Sequence, residues 1–268
     1  MSDDLKVTKL EQRRRRQFTH LIPNLVTVFV ICAGLTSVRF SIDGRYGVAM
    51  LLIVLAAILD AMDGRLARAL DSVTPMGAEL DSLADFFNFG IAPGLLLYYA
   101  IFAGTGYANL GWLAVLTLAV CCALRLARFN VALDEKDEPA WKSEYFVGVP
   151  APAMGCTAML PMFFVMLGSH FFRDHPYLTF IYLVVVGLLA ASTIPTFSVK
   201  HVRIRPDRFL PILLACAATI AMLVVYSWEV MIAGSVLYLL SIPVAAFQFK
   251  KREEAKRSAE TVQKSDAG

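Results

Sequence analysis

Four aspartates stand where an apolar chain has little use for charge: Asp60 and Asp63 close one hydrophobic stretch, and Asp81 and Asp85 open the next. The spacings are i,i+3 and i,i+4, so on helices each pair shares one face. The connector from Arg65 to Leu80 is short enough to make the two helices antiparallel neighbours, bringing four carboxylates to one pocket. Uncompensated, such a cluster would repel itself. Oxygen-only donors at this density suit one or two hard divalent cations, Mg²⁺ or Mn²⁺. A proton relay is the rival reading, but relays need one or two acids rather than two facing pairs.

A cation held by aspartates keeps open positions, and phosphate or pyrophosphate is their natural occupant. Gly64 follows Asp63 directly and lets a bulky group approach the backbone. Arg68, about a turn and a half beyond Asp63, offers a forked contact to phosphate. Taken singly, Gly64 reads equally well as a packing residue and Arg68 as a topology charge. A second constellation closes a later apolar stretch, where Arg125 and Arg128 at i,i+3 precede Phe129 and Asn130. Two arginines on one face provide a bidentate site for a carboxylate or a phosphate, and Asn130 can orient an amine or hydroxyl. The alternative is a pair of arginines that snorkel to lipid headgroups.

The elements that must position these residues are membrane helices. Of 268 residues, 57% are hydrophobic and 18% charged, with a mean hydropathy of +0.61, which excludes the usual soluble enzyme and makes lipid the solvent. Eight predominantly apolar windows are long enough to cross a bilayer: Asn24 to Ser41, Tyr46 to Gly64, Ser82 to Ala103, Leu110 to Asn130, Ala151 to Phe172, Tyr177 to Phe197, Phe209 to Tyr226 and Glu229 to Phe247. With both tails in the cytoplasm, only Arg39, Arg45 and Arg173 fall on the far side, a strong orientation bias. Only Ser227, Trp228 and Glu229 separate the last two windows, which reads as a tight helical hairpin. Residues 1–22 are polar and then basic through Arg13 to Arg16; they read as an interfacial helix, or equally as a pure topology signal, and not as a cleaved signal peptide. The polar segments Asp134 to Glu144 and Lys200 to Arg208 read as cytoplasmic loops, and Lys250 to Gly268 as a frayed charged helix. A net charge of +3 is too small for a polyanion binder, so nucleic acid is not an expected partner. The five cysteines lie inside apolar windows with no metal-ligand spacing and read as small core residues.

The run Asp60-x-x-Asp63-Gly64-x-x-Ala67-Arg68, eight further residues, then Gly77-x-x-x-Asp81-x-x-x-Asp85 resembles the complete signature of the CDP-alcohol phosphotransferase family. Eight fixed identities would arise by chance in a chain of this length with a probability below roughly 10⁻⁷ at ordinary composition. The resemblance implies an integral-membrane transferase that binds the pyrophosphate of a CDP-linked lipid through two divalent cations, Mg or Mn, and moves the phosphatidyl group to an alcohol with loss of CMP. By that resemblance Asp60, Asp63 and Asp81 are metal ligands, and Asp85 is both a ligand of the second metal and the general base. Gly64, Arg68 and Thr74 match positions that hold the CDP moiety, and Asn24, in Pro23-Asn24-Leu25, matches one near the nucleotide.

The string Arg125-Leu126-Ala127-Arg128-Phe129-Asn130, followed by Phe146-x-Gly148-x-Pro150-x-Pro152, resembles the branch of that family whose acceptor is L-serine. In that branch Arg125, Arg128, Phe129 and Asn130 would bind serine, its carboxylate meeting Arg125 or Arg128. A sibling enzyme using glycerol-3-phosphate would suit two arginines as well, and a proton- or metal-coupled transporter would use intramembrane acids without requiring the Gly64 and Arg68 spacing. The resemblance covers roughly Arg13 to Phe197. The expectation is thus an all-α polytopic membrane protein of about eight transmembrane helices with an N-terminal interfacial helix. Residues 1–22 form the basic interfacial segment, 23–200 the catalytic core, 201–249 an added C-terminal hairpin and 250–268 a charged tail. Expected partners are CDP-diacylglycerol, L-serine, membrane lipids and, by resemblance alone, a second copy of the chain as a homodimer. The expected location is a bacterial inner (cytoplasmic) membrane with both termini and the active site facing the cytoplasm.

Overall fold

A computed structural model describes residues 23–70, 72, 74–134, 145–197 and 209–266. The expected interfacial helix and the two polar loops lie outside these residues, apart from Asp134. Four long apolar helices come first: α1 (Pro23–Ile42), α2 (Tyr46–Ala69), α3 (Pro75–Phe102) and α4 (Ala108–Asp134). Short turns join α1 to α2 and α3 to α4, and Gly44 (φ +73°) and Gly104 (φ +74°) supply the left-handed residue each turn needs. α3 begins at Pro75 rather than at the expected Ser82, because Thr74 caps it: its hydroxyl accepts the Gly77 amide at 3.0 Å, and Pro75 needs no amide partner in the first turn.

The fifth window is two short helices, α5 (Ala151–Ala158) and α6 (Leu160–Met166), broken at Met159 ahead of Pro161. It stops well before Phe172, since Gly168 (φ +85°) turns the chain there and a single turn, α7 (Phe171–Asp174), follows. α8 (Pro176–Ala191) ends six residues short of the sixth window. Pro195–Phe197 is instead a strand, β2, which pairs antiparallel with β1 (Tyr145–Val147), matching Phe146 to Thr196. This two-stranded pairing is the one departure from all-α architecture among the described residues. α9 (Phe209–Val225) and α10 (Ser227–Asp266) meet at Tyr226. α10 opens two residues before the expected Glu229 and carries the charged tail on the same helix.

Five of these helices are long and apolar enough to span a bilayer by themselves: α1, α2, α3, α4 and α10. Shorter apolar helices fill the remaining windows, so the all-α polytopic expectation holds. Close packing inside the bundle relies on small residues rather than on water exclusion, which lipid cannot provide. A side-chain carbon on Gly90 would strike Cys122, and one on Gly155 would strike Phe89, so both glycines let helices touch backbone to side chain. Phe89, Phe102, Phe163, Met50, Leu96 and Leu118 are fully buried there. Leu51, Ile58, Leu113, Leu124, Ile181 and Leu188 point outward as a lipid-facing surface must. Cys121 and Cys122 are buried and Cys156 half-buried as core residues, whereas Cys32 is exposed on the outer face of α1, which corrects the core reading for that cysteine.

Candidate active site

The acidic residues converge because α2 ends and α3 begins at one end of the bundle. One oxygen from each of Asp60, Asp63 and Asp81 lies within 4.8 Å of the others, and the Asp85 carboxyl sits against that of Asp60. Asp63 is only 3% exposed. Thr27 of α1 donates to its Oδ2 at 2.8 Å, while Asp63 Oδ1 and Asp85 Oδ1 are buried with no hydrogen-bond partner. Buried carboxylate oxygens without donors are costly and call for a cation or a proton. Three clustered hard oxygen donors, with orphaned lone pairs beside them, fit a divalent metal of the Mg²⁺ or Mn²⁺ type.

Beside the cluster opens a cavity of about 170 Å³ lined by Asn24 and Thr27 of α1, Asp63 and Gly64 of α2, Ser72, Thr74, and Gly77 and Asp81 of α3. Gly77 has a specific reason to be glycine. A side-chain carbon there would lie 2.9 Å from Asn24 Oδ1 and 3.1 Å from Thr74 Oγ1, so its absence lets both polar side chains crowd onto the first turn of α3. That turn also presents backbone amides, a favourable surface for an anion. The sequence-expected residues Asn24, Gly64 and Thr74 are therefore brought together with Asp63 and Asp81. Arg68 occupies the last turn of α2. Thr27 and Ser72 escaped the sequence reading. The signal for Thr27 is its position one turn after Asn24 inside an otherwise apolar window.

The second constellation separates in space. Arg125, partly buried, lies within electrostatic reach of Asp85 without forming an ion pair. Its Nε and Nη1 are buried and unpartnered, and its guanidinium carbon lies 6.0 Å from the centre of the Phe129 ring. Arg128 is exposed and its guanidinium bonds the Ala191 carbonyl at the end of α8, a cation on helix-terminal carbonyls. Asn130 exchanges hydrogen bonds with Ser82 Oγ at 3.1 and 3.3 Å, fastening α4 to α3 beside Asp81. Ser82, like Thr27, was not singled out by the sequence, because a serine one residue from a motif aspartate carries no spacing signal.

Two local devices hold this geometry. Immediately after Asp85, α3 widens into a π-helical turn, Phe86–Ile91, a feature that clusters at functional sites. Fully buried Asn88 supports it by donating to the Ala84 carbonyl at 2.9 Å. On the opposite side, Gly148 (φ +77°) packs so closely that a side-chain carbon would lie 2.7 Å from the Ala190 carbonyl oxygen and 2.8 Å from that of Ser192. The β1–β2 pairing is thereby clamped onto the end of α8.

Residues 20–194 match the family model described as CDP-alcohol phosphatidyltransferase, and residues 208–243 a second one described as CDP-alcohol phosphatidyltransferase 2. The chain is 39% identical to the CDP-diacylglycerol–serine O-phosphatidyltransferase of Mycobacterium tuberculosis, over 87% of this chain and 80% of that protein. It is 32% identical to the enzyme of the same name from Helicobacter pylori, over 73% of this chain and 79% of that one. A third so named, from Methanocaldococcus jannaschii, is 32% identical over 65% of this chain and 72% of its own length.

Proposed function

This chain belongs to the CDP-alcohol phosphatidyltransferase family, and from that premise we propose that it transfers the phosphatidyl group of CDP-diacylglycerol to the hydroxyl of L-serine, releasing CMP and forming phosphatidylserine. The names of its relatives support the two substrates. The observation that carries the serine half is the unpaired opposition of Asp85 and Arg125. Asp85 Oδ1 is buried without a donor, Arg125 Nε and Nη1 are buried without an acceptor, and the two side chains lie within electrostatic reach of one another; a hydroxyl-bearing amino acid would complete both, its carboxylate meeting Arg125 and its hydroxyl meeting Asp85.

Asp60, Asp63, Asp81 and Asp85 are the proposed holders of two divalent cations, Mg or Mn, which when bound supply charge neutralisation at the phosphate oxygens. The protein's own residues do the rest. Asn24, Gly64, Arg68 and Thr74 hold the CDP end in the cavity between α1, α2 and α3, and Thr27 fixes the Asp63 carboxylate. Asp85 accepts the hydroxyl proton as the serine oxygen forms its bond to phosphorus and the bond to the departing CMP oxygen breaks. Phe129 lies beside the Arg125 guanidinium, while Asn130, through Ser82, secures the wall between donor and acceptor sites. Arg128 helps to fix the acceptor end by tethering α8. Residues 23–200 form the catalytic core, to which the helices of 201–249 are added, ahead of the charged tail 250–268. The active site and both termini face the cytoplasm of a bacterial inner membrane, and the working unit is a homodimer.

The test is CMP release from CDP-diacylglycerol by purified protein with Mg²⁺ or Mn²⁺. Release should depend on L-serine, stop on chelation with EDTA and return on adding back the metal. Release that ignores serine but responds to glycerol-3-phosphate would replace the acceptor assignment with that of the sibling enzyme.

A further inference from the structure

The acceptor pocket proposed above has a third buried donor, which comes from the C-terminal segment 208–243 rather than from 20–194. Tyr238 lies on α10, the last helix, which packs against β2. Its hydroxyl is buried and closes no well-formed hydrogen bond. Thr196 of β2, 1% exposed, lies close to it and donates its own proton to the Gly148 carbonyl at 2.8 Å, without closing a well-formed hydrogen bond to the phenol. On its other side Tyr238 lies within electrostatic reach of Arg125. Arg125 Nε, Arg125 Nη1 and the Tyr238 hydroxyl are thus three buried donors that close no hydrogen bond, on two side chains within electrostatic reach of one another. Leaving buried donors unsatisfied is expensive, and an arrangement of this kind is stable in use when a ligand oxygen completes it. A guanidinium and a phenol on two helices, each with free donors, suit the two oxygens of one carboxylate.

We propose that Tyr238 is an acceptor-binding residue, its hydroxyl donating to the same carboxylate that Arg125 holds, so that α10 forms the acceptor-selective wall of the site. The assignment rests on the serine reading above. It also gives the C-terminal helix a role in the reaction, since without α10 the acceptor loses one of its carboxylate donors.

Tyr238→Phe removes the hydroxyl and keeps the ring. Serine KM should rise about tenfold or more, as for loss of a hydrogen bond to a charged group, while kcat and the KM for CDP-diacylglycerol stay within about twofold. Leu237→Ala, a neighbour on the outward face at 67% exposure, should leave serine KM unchanged. The stabilisation that L-serine gives against thermal unfolding should also shrink in Tyr238→Phe and persist in Leu237→Ala. An unchanged serine KM in Tyr238→Phe overturns the assignment, as does a fall in kcat with both KM values moving together, the mark of a structural role. If the parent protein uses glycerol-3-phosphate instead, the serine reading fails on its own, and the same two variants measured on that acceptor still decide the role of Tyr238.

Discussion

Residue by residue, the site divides its charged groups into those with protein partners and those without. Asp63 Oδ2 has Thr27, and Arg128 has the Ala191 carbonyl; Asp63 Oδ1, Asp85 Oδ1 and two nitrogens of Arg125 have none. The unpartnered atoms are where substrate and cation should act, so their variants should change kinetics before stability. Asp85→Asn keeps the shape but loses the proton acceptor; turnover should fall by about 10³-fold or more while CDP-diacylglycerol still binds, as ligand-dependent thermal stabilisation reads. Substantial residual turnover would remove Asp85 from that role. Arg125→Lys keeps the charge but loses the fork, and serine KM should rise about tenfold with kcat little changed. Arg128→Ala should do the reverse, lowering the unfolding midpoint by the equivalent of about 0.3–1 kcal/mol through loss of a cation at a helix C-terminus, with serine KM unaltered. Sequence spacing put both arginines on one face of α4 and could not tell them apart. What separates them is the end of α8, a tertiary neighbour that no local pattern announces.

At the scale of elements, the site depends on backbone placements that only glycine and capping chemistry permit. The Asp60 to Asp85 motif was legible because its residues sit on two consecutive helices joined by a short connector, where sequence spacing and spatial proximity nearly coincide. Even there the start of α3 was misjudged: counting apolar residues begins at Ser82, whereas capping chemistry at Thr74 and Pro75 begins the helix a full cavity wall earlier. The β1–β2 pairing was illegible for the opposite reason. Its strands are three residues each, bounded by Gly148 and Pro195, and the second lies inside a window apolar enough to pass for helix. The left-handed Gly148 now explains why glycine stands in that string. Gly148→Ala should destabilise the protein by about 1–3 kcal/mol, since it combines an unfavourable φ with two carbonyl contacts under 3 Å. Thermal unfolding of the purified variant measures this, and an unchanged midpoint would mean that the clamp on α8 bears no strain.

For the whole molecule, the proposed orientation makes a statement about direction that labelling can test. Arg39, Arg45 and Arg173, the basic residues that sequence alone assigns to the far side, lie at the end of the bundle remote from the aspartates. Arg39 pairs with Asp43 at 3.9 Å, Arg45 covers the Phe40 ring at 4.7 Å, and Arg173 donates to the Ala100 carbonyl at 3.3 Å. If all eight apolar windows cross, as proposed, the chain returns to its starting side, and α10, whose Trp228 stacks on Phe163 at 6.2 Å, begins at the far end and carries Tyr238 within electrostatic reach of Arg125. Lys250, further along the same helix, must then lie on the side of the aspartates. A cysteine placed at Ser169, in the turn after α6, should react with a membrane-impermeant maleimide added to intact cells. One placed at Lys250 should react only after permeabilisation. The native cysteines contribute little background, because all five lie inside apolar windows. Labelling of both positions from the same side would break the eight-crossing path, and with it the route by which the last helix reaches the acceptor pocket.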